Sequence, residues 1–449
     1  MIVYTYTALI ILYMLSVFID ATILDYAVGV SAVIAVILAS TRSKGLYFYS
    51  GLLFLLIGTG LFLFQDIPWH SFFLYFDSML GVMSLFLVLP FLNSIIRVGH
   101  YDTNLNLLLR RNTNQLDQLY KRSFLVSHVL GLFLNIAMIP LLKNSLHHTL
   151  KQLPKEKAHA FLSQSLLRSY ALCLSWSPME VLVSASLDMT DKAYYEILLP
   201  LVMIVFLFAM IDYTLSFYKY RPFGLHIMDS LQPSSSKVRR KIIEMAFMLV
   251  IFILLTSLFQ YFSQKGYLLS VVVVVIPVSI MWALLIKKQK RYFSVTIPHW
   301  KERTNGLSNY FFMFISAGLF VNMLSSSGAL SFLQTAFSNA SDHILIFYFM
   351  IGLYFFAASL IGFHPLVSIT LLGELLQPIL PAVSSIPLTI VLITCSLATV
   401  MYSPFNLSVS ILSDLLRINP IKIMRWNLPF ALMYIISSIL IAYGIGLFL

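Results

Sequence analysis

At Trp176–Asp188 the chain reads WSPMEVLVSASLD, and at Tyr402–Asp414 it reads YSPFNLSVSILSD. Ser177/Ser403, Pro178/Pro404, Val183/Val409, Ser184/Ser410 and Asp188/Asp414 are identical across an offset of 226 residues, half of the chain. Each copy sets a polar Ser-Pro inside an apolar stretch long enough to cross a bilayer as a helix. Serine suits a helix N-cap, and proline suits the first helical turn, where its missing N–H would be unpaired anyway. One such proline alone reads as an ordinary kink. Two at matched positions predict helices that stop and restart within the membrane.

The composition sets the class. Of 449 residues, 59% are hydrophobic and 10% charged, and the mean hydropathy is +0.88; a soluble chain carries about 25% charged residues. The apolar runs leave no room for a soluble catalytic domain. The first run, Ile2–Phe18, lacks a basic leader and a small-residue cleavage site and reads as a retained helix. Cys173 and Cys395 both lie in apolar runs, which argues against a disulfide framework. The net charge of +11 does not point to nucleic acid, because 27 of the 29 basic residues fall in six clusters between apolar runs. These are Arg42–Lys44, Arg97–Arg122, Lys143–Arg168, Lys219–Lys241, Lys287–Arg303 and Arg417–Arg425. The positive-inside rule places all six in the cytoplasm.

With the N-terminus inside, the stretches 2–18, 24–40, 46–64 and 71–96 cross in turn. The stretch 123–147 lies between two basic clusters, so it predicts a re-entrant hairpin with its tip near Asn135. The broken stretch 166–190 and then 195–217 lead to a linker, 219–240, marked by Pro233 and the serines after it. Beyond it, 241–262, 267–286 and 306–324 cross. A second hairpin, 344–378, turns at Gly362–Pro365, the broken stretch 386–416 returns, and 427–448 leaves the C-terminus outside. A second echo, Phe91-x-Asn93 and Gly99 against Phe320-x-Asn322 and Gly328, supports the duplication. The expected fold is an all-α polytopic membrane protein with about eleven transmembrane helices and two re-entrant hairpins. After an extra helix in 1–23, two inverted repeats, 24–218 and 241–449, each carry a broken helix. Inverted repeats with discontinuous helices are the build of secondary transporters.

The broken helices supply the chemistry. A helix restarting near the bilayer midplane presents unpaired N–H groups and partial positive charge, which suit an oxyanion. The expected substrate-binding residues are Ser177, Pro178, Glu180, Ser403, Pro404, Asn406, Asn135 and His364. Carbonyls at the ends of the first half-helices, with the hydroxyls of Ser175, Ser325 and Ser326, suit Na+. Glu180 is the most informative residue, since an intramembrane carboxylate is costly and usually functional. Its counterpart is Asn406, so the halves differ chemically. Asp188 and Asp414 read as structural, and Asn93 and Asn322 as interhelical hydrogen-bonding groups. His364 reads equally as an anion contact or as a cap on the hairpin tip. There is no G-x-x-x-x-G-K-[ST], H-E-x-x-H or paired-cysteine metal spacing.

On these features the chain resembles the ion transporter superfamily of divalent-anion/sodium symporters, arsenite permeases and citrate transporters. The resemblance implies hairpin tips around Asn135 and Gly362–Pro365 and broken helices at Ser175–Glu180 and Tyr402–Asn406. It also implies a homodimer working by an elevator motion. Neither tip carries the Ser-Asn-Thr motif of the symporters, so the substrate is left open. The resulting expectation is a non-enzymatic secondary transporter of the cytoplasmic membrane, moving a small anionic solute with Na+ or H+ and needing no other cofactor. The alternative from another class is an intramembrane enzyme or flippase acting on a lipid or lipid-linked substrate.

Overall fold

The computed structural model describes residues 2–110, 115–224 and 235–448. Four helices open the chain: α1 (Ile2–Phe18), α2 (Thr22–Ser40), α3 (Gly45–Phe64) and α4 (Leu80–Val98). After the short α5 (Tyr101–Asn106) come α6 (Leu116–Leu134), α7 (Met138–Leu150), α8 (Lys155–Ser163), α9 (Ser169–Leu174), α10 (Val181–Thr190) and α11 (Tyr194–Tyr220). The second half holds α12 (Ser235–Ser263), α13 (Tyr267–Leu285), α14 (Gln289–Asn305), α15 (Ser308–Ser326) and α16 (Ser331–Ser341). It ends with α17 (Ile344–Ile361), α18 (Pro365–Leu376), α19 (Ser385–Tyr402), α20 (Leu407–Leu416) and α21 (Pro420–Gly446). Among the described residues the only β pairing is a single bridge between Gln115 and Gly224. Among the described residues eleven helical segments are long and apolar enough to cross a membrane. The protein is an all-α polytopic membrane protein.

Those eleven segments are not the eleven expected. They include the hairpin segments Leu116–Leu150 and Ile344–Ile361, and they leave out α1 and the pieces of the first broken helix, which are individually too short. Other boundaries also move. The stretch 71–96 opens as a 3-10 segment, Trp69–Phe76, and turns α-helical only at Leu80. Pro68 precedes that segment, and Phe72 packs edge-on against Phe62 and Phe76, with ring centroids 4.8 and 5.1 Å apart. The first broken helix starts at Lys155 rather than 166, because α8, a π-helical turn at Gln164–Arg168 and α9 follow without a gap. Lys155 and Lys157 are therefore helical, not loop. Likewise 331–341 forms α16, and the last helix starts at Pro420. Of the expected linker 219–240, residues 225–234, with Pro233, lie outside the described residues.

The chain folds as two compact units, and each takes segments from both sequence halves. The first comprises Met1–Ile95, Val271–Asn339 and Thr370–Pro378. Its core is the pairing of α3 with α15. Gly51 and Gly58 line the α3 side: a Cβ on Gly58 would stand 3.0 Å from Leu319 and 3.1 Å from the Phe320 nitrogen. Small residues at such crossings let helix backbones approach closely, which is where dispersion acts in lipid. The stacked pairs Phe48–Phe312 and Phe54–Phe320 flank the contact at 5.6 and 5.1 Å.

The second unit comprises Ile96–Ser270, Ala340–Ile369 and Ile379–Leu449, and it holds both broken helices. In it, α6 and α7 fold back on each other about Asn135, which has φ 51°. The second hairpin turns at Gly362, whose φ of 102° suits only glycine. The hydroxyl of Tyr354 on α17 reaches back to the Ser368 carbonyl of α18 at 2.8 Å. At the heart of the unit α19 packs against α9, α10, α17 and α21.

Candidate functional site

Both breaks have one construction. After α9, Ser177 N–H donates to the Leu174 carbonyl, and Glu180 N–H donates to the Ser177 carbonyl at 3.2 Å. After α19, Asn406 N–H donates to the Ser403 carbonyl at 3.0 Å. Ser177-Pro178-Met179-Glu180 and Ser403-Pro404-Phe405-Asn406 are thus matching β-turns with proline in the second position, where its fixed φ is pre-set. This corrects the capping roles expected from sequence. Serine and proline form the turn, and the helix restarts three residues later, with Glu180 as the N-cap of α10 and Asn406 as the N-cap of α20.

The two caps differ. The Asn406 side chain accepts from Ser408 N–H at 3.1 Å, and Ser408 ties back to the Val400 carbonyl at the end of α19. The Glu180 carboxyl lies beside the N–H groups of Val181 and Leu182 but makes no capping bond of ordinary geometry. It is 8% exposed. The surroundings differ as well: Ser175 through Glu180 is almost wholly buried, whereas Phe405 is 46% exposed.

Tyrosines hold the first break. Tyr194 donates to the Trp176 carbonyl, Tyr267 to the Pro178 carbonyl at 3.1 Å, and Tyr434 to the Ser175 hydroxyl at 2.9 Å. The Trp176 and Pro178 carbonyls therefore each accept one hydrogen bond already, and no sequence motif announced these partners. Each hairpin tip also touches its own broken helix. Tyr170 of α9 donates to the Asn135 side chain, and the Trp176 indole donates to His128 of α6 at 2.9 Å. In the second pair Ser403 donates to the Ser359 carbonyl of α17 at 2.8 Å, and the Phe405 ring packs beside Gly362. His364 accepts from Leu366 N–H at 3.2 Å and so caps α18, which starts at Pro365.

Thr190, the last residue of α10, hydrogen-bonds Thr389 in the first turns of α19 at 2.7 Å, while α9 also packs on α19. The two broken helices therefore run antiparallel. From that threonine pair, α10 extends back nine residues to its start and α19 extends forward thirteen to its end. These lengths are about 13 and 20 Å along the axes, which sets both breaks near one level.

The expected cation ligands are not gathered in one unit. Ser175 belongs to the second unit and Ser325 and Ser326 to the first, where they donate to Glu374 at 2.8 Å and to Gln65 at 2.9 Å. Asp188 is structural: its carboxylate accepts from the N–H groups of Tyr267 and Leu268 and caps α13. Asn322 reaches the Tyr75 carbonyl at 3.2 Å, while the Asn93 oxygen is buried with no hydrogen-bond partner among the described residues.

Sequence reasoning missed a second polar cluster. Arg168, placed among loop cations by its neighbours, is turned inward by the π-helical segment and pairs with Asp212 at 2.7 Å. Both are buried. The guanidinium also donates to Asn427 and the Trp426 carbonyl and lies 4.6 Å from the Phe430 ring centre, while Tyr120 donates to the other Asp212 oxygen at 2.7 Å. A lone aspartate in the apolar run 195–217 was the available signal. Among the described residues no group of three or more His, Cys, Asp or Glu is placed to hold a metal ion.

No family model and no curated protein matches the sequence. Among solved structures the chain is similar to MtrF of Neisseria gonorrhoeae, with a TM-score of 0.53 and 13% identity over 88% of this chain and 93% of that one. MtrF is described as illuminating a class of antimetabolite efflux pumps. At this identity the likeness establishes a shared fold.

Proposed function

We propose that this protein is a secondary transporter that moves a small anionic solute across the cytoplasmic membrane, coupled to H+ or Na+. The observation that carries the reading is the pair of antiparallel helices broken by matching turns near one level, each met by a hairpin tip within one unit. The restarts of α10, α18 and α20 supply N–H groups and positive helix ends for an anion. The substrate contacts on this reading are Ser177, Pro178, Glu180, Ser403, Pro404, Asn406, Asn135 and His364, with Glu180 as the coupling group. Ser175 is the candidate cation ligand within this unit.

The domain reading follows. Residues 24–218 and 241–449 are inverted repeats, and the unit with both broken helices is the moving part of an elevator in a homodimer. The N-terminus is cytoplasmic and the C-terminus outside. These features support placement in the ion transporter superfamily. The shared fold with an antimetabolite efflux pump makes export the direction to assay first.

The test is counterflow in proteoliposomes with small anions, carboxylates and phosphate among them, under imposed proton or sodium gradients. Gradient-dependent exchange is expected, and Glu180→Gln is expected to abolish coupling while folded protein stays in the membrane. Absence of any exchange alongside turnover or flipping of a lipid substrate would sink the transporter reading. Normal exchange by Glu180→Gln with unchanged pH and sodium dependence would remove Glu180 from the coupling role.

A further inference from the structure

A cavity of about 460 Å³ lies in the second unit beside the Arg168–Asp212 pair, with walls from α6, the π-helical turn, α11 and α21. Its charge is not balanced. Arg168 is matched by Asp212 at 2.7 Å. Lys219, the other cation in the wall, has no carboxylate in ion-pair range among the described residues. Its ammonium gives one hydrogen bond, to the neutral Gln164 amide oxygen at 2.9 Å, and the same oxygen accepts from Tyr220 at 2.7 Å. An ammonium has three donors. Two of those on Lys219 therefore remain for a ligand, and the cavity carries one positive charge in excess. The Arg168 fork likewise has five N–H donors, and its three hydrogen bonds leave two over.

The position of the cavity says where an anion would come from. The outer face of α21 exposes Pro429, Leu432, Ile436 and Leu440, spaced as one helical face, an apolar stripe of the kind that faces acyl chains. The stripe ends at Pro429, which lines the cavity with Tyr218 and Lys219 of α11, and aromatic and basic residues mark the membrane–water interface. Leu215 and Tyr218, with exposures of 47% and 75%, form the mouth of the cavity together with Pro429 of α21. The opening is thus toward lipid at headgroup depth. Basic pockets between transmembrane helices at this depth bind anionic headgroups.

We infer that the cavity between α11 and α21 is a binding site for the headgroup of an anionic phospholipid, with Lys219 and Arg168 donating to its phosphate and the acyl chains lying along the exposed face of α21. This site is separate from the helix breaks and does not depend on the transport reading.

The full-length protein is purified into phosphatidylcholine nanodiscs, and phosphatidylglycerol is exchanged in. Bound lipid is counted by native mass spectrometry, and thermal stability is read in parallel. Wild type is expected to retain phosphatidylglycerol over phosphatidylcholine, and Lys219→Gln to weaken that preference about fivefold, the share of one interfacial cation. Leu215→Trp, an exposed change at the mouth that keeps every charge, is expected to block retention as well. Lys265→Gln, an exposed lysine outside the cavity, should change nothing. Equal retention of the two lipids by wild type would overturn the proposal, as would undiminished retention by both Lys219→Gln and Leu215→Trp. Stabilisation by inorganic phosphate equal to that by phosphatidylglycerol would assign the cavity to a soluble anion. Burial of the mouth in a dimer, with no lipid bound there, would assign it to a second copy of the chain.

Discussion

The Arg168–Asp212 pair is the strongest single test of the packing. Removing one partner of a buried ion pair leaves the other charge uncompensated, at a cost of about 3–5 kcal/mol. In Asp212→Asn the amide oxygen still faces Arg168 and the amide nitrogen faces the Tyr120 hydroxyl, which can turn to accept. The hydrogen bonds survive, and the lost charge dominates. In Arg168→Gln the carboxylate keeps Tyr120 alone, the Asn427 oxygen loses its donor, and the Trp426 carbonyl keeps only the Gln164 amide. Each single change is expected to cost about 3–5 kcal/mol, or about 6–10 °C in a unit of this size at roughly 2 °C per kcal/mol. The double change restores neutrality, so its cost should fall well below the sum, with a coupling energy of about 2 kcal/mol or more. The assay is thermal unfolding of the four proteins in one detergent, followed by intrinsic fluorescence and by loss of the monodisperse peak. Strictly additive costs would refute the ion pair.

Three further outcomes follow from the geometry. Gly58→Val places side-chain atoms within van der Waals contact of Leu319 and the Phe320 backbone, and should cost about 1–3 kcal/mol in the same melts; an unchanged melting temperature would mean that α3 and α15 do not pack this closely. Gly362→Ala forces a φ of 102° on a residue with a Cβ and should cost about 1–2 kcal/mol, read as faster proteolysis at the second hairpin tip. Asn406→Ala should cost about 1 kcal/mol through loss of the α20 cap, whereas Glu180→Ala should not cost a cap at all, a contrast read in parallel melts.

The membrane class and the doubled break were legible because their signals are local: apolar length, charge spacing, and a proline that cannot donate. Asn135 and Gly362 were placed as hairpin tips for the same reason, and both take left-handed φ values. What the chain brings together over long separations was not legible. Arg168 stands at the start of the expected broken stretch as one more member of a basic cluster, and only the packed structure shows it turned from the π-helical segment toward Asp212. The tyrosines 194, 267 and 434 that hold the first break were lost among the 24 in the chain. The Ser-Pro pair was read as a helix start because proline suits both the first helical turn and the second position of a β-turn. Only the Ser177–Glu180 and Ser403–Asn406 hydrogen bonds separate the two.

That distinction changes the meaning of the one difference between the repeats. Glu180 and Asn406 are not merely equivalent positions within two helices; they are the residues at which the helices restart. An amide at an N-cap satisfies an N–H and adds no charge, leaving the positive end of the helix for another group. A carboxylate at the same position brings its own negative charge to that end and competes with any anion approaching it. Under the proposed transport reading, α20 offers its N-terminus to the substrate unconditionally, and α10 does so only when Glu180 is neutralised by a proton or a cation. Binding of anion and binding of cation then favour one another by equal free energies, as linkage requires. A carboxylate that merely sealed a buried break would create no such dependence. Glutamine at position 180 keeps the shape and removes the competition, so it should leave anion binding intact and free it from the cation.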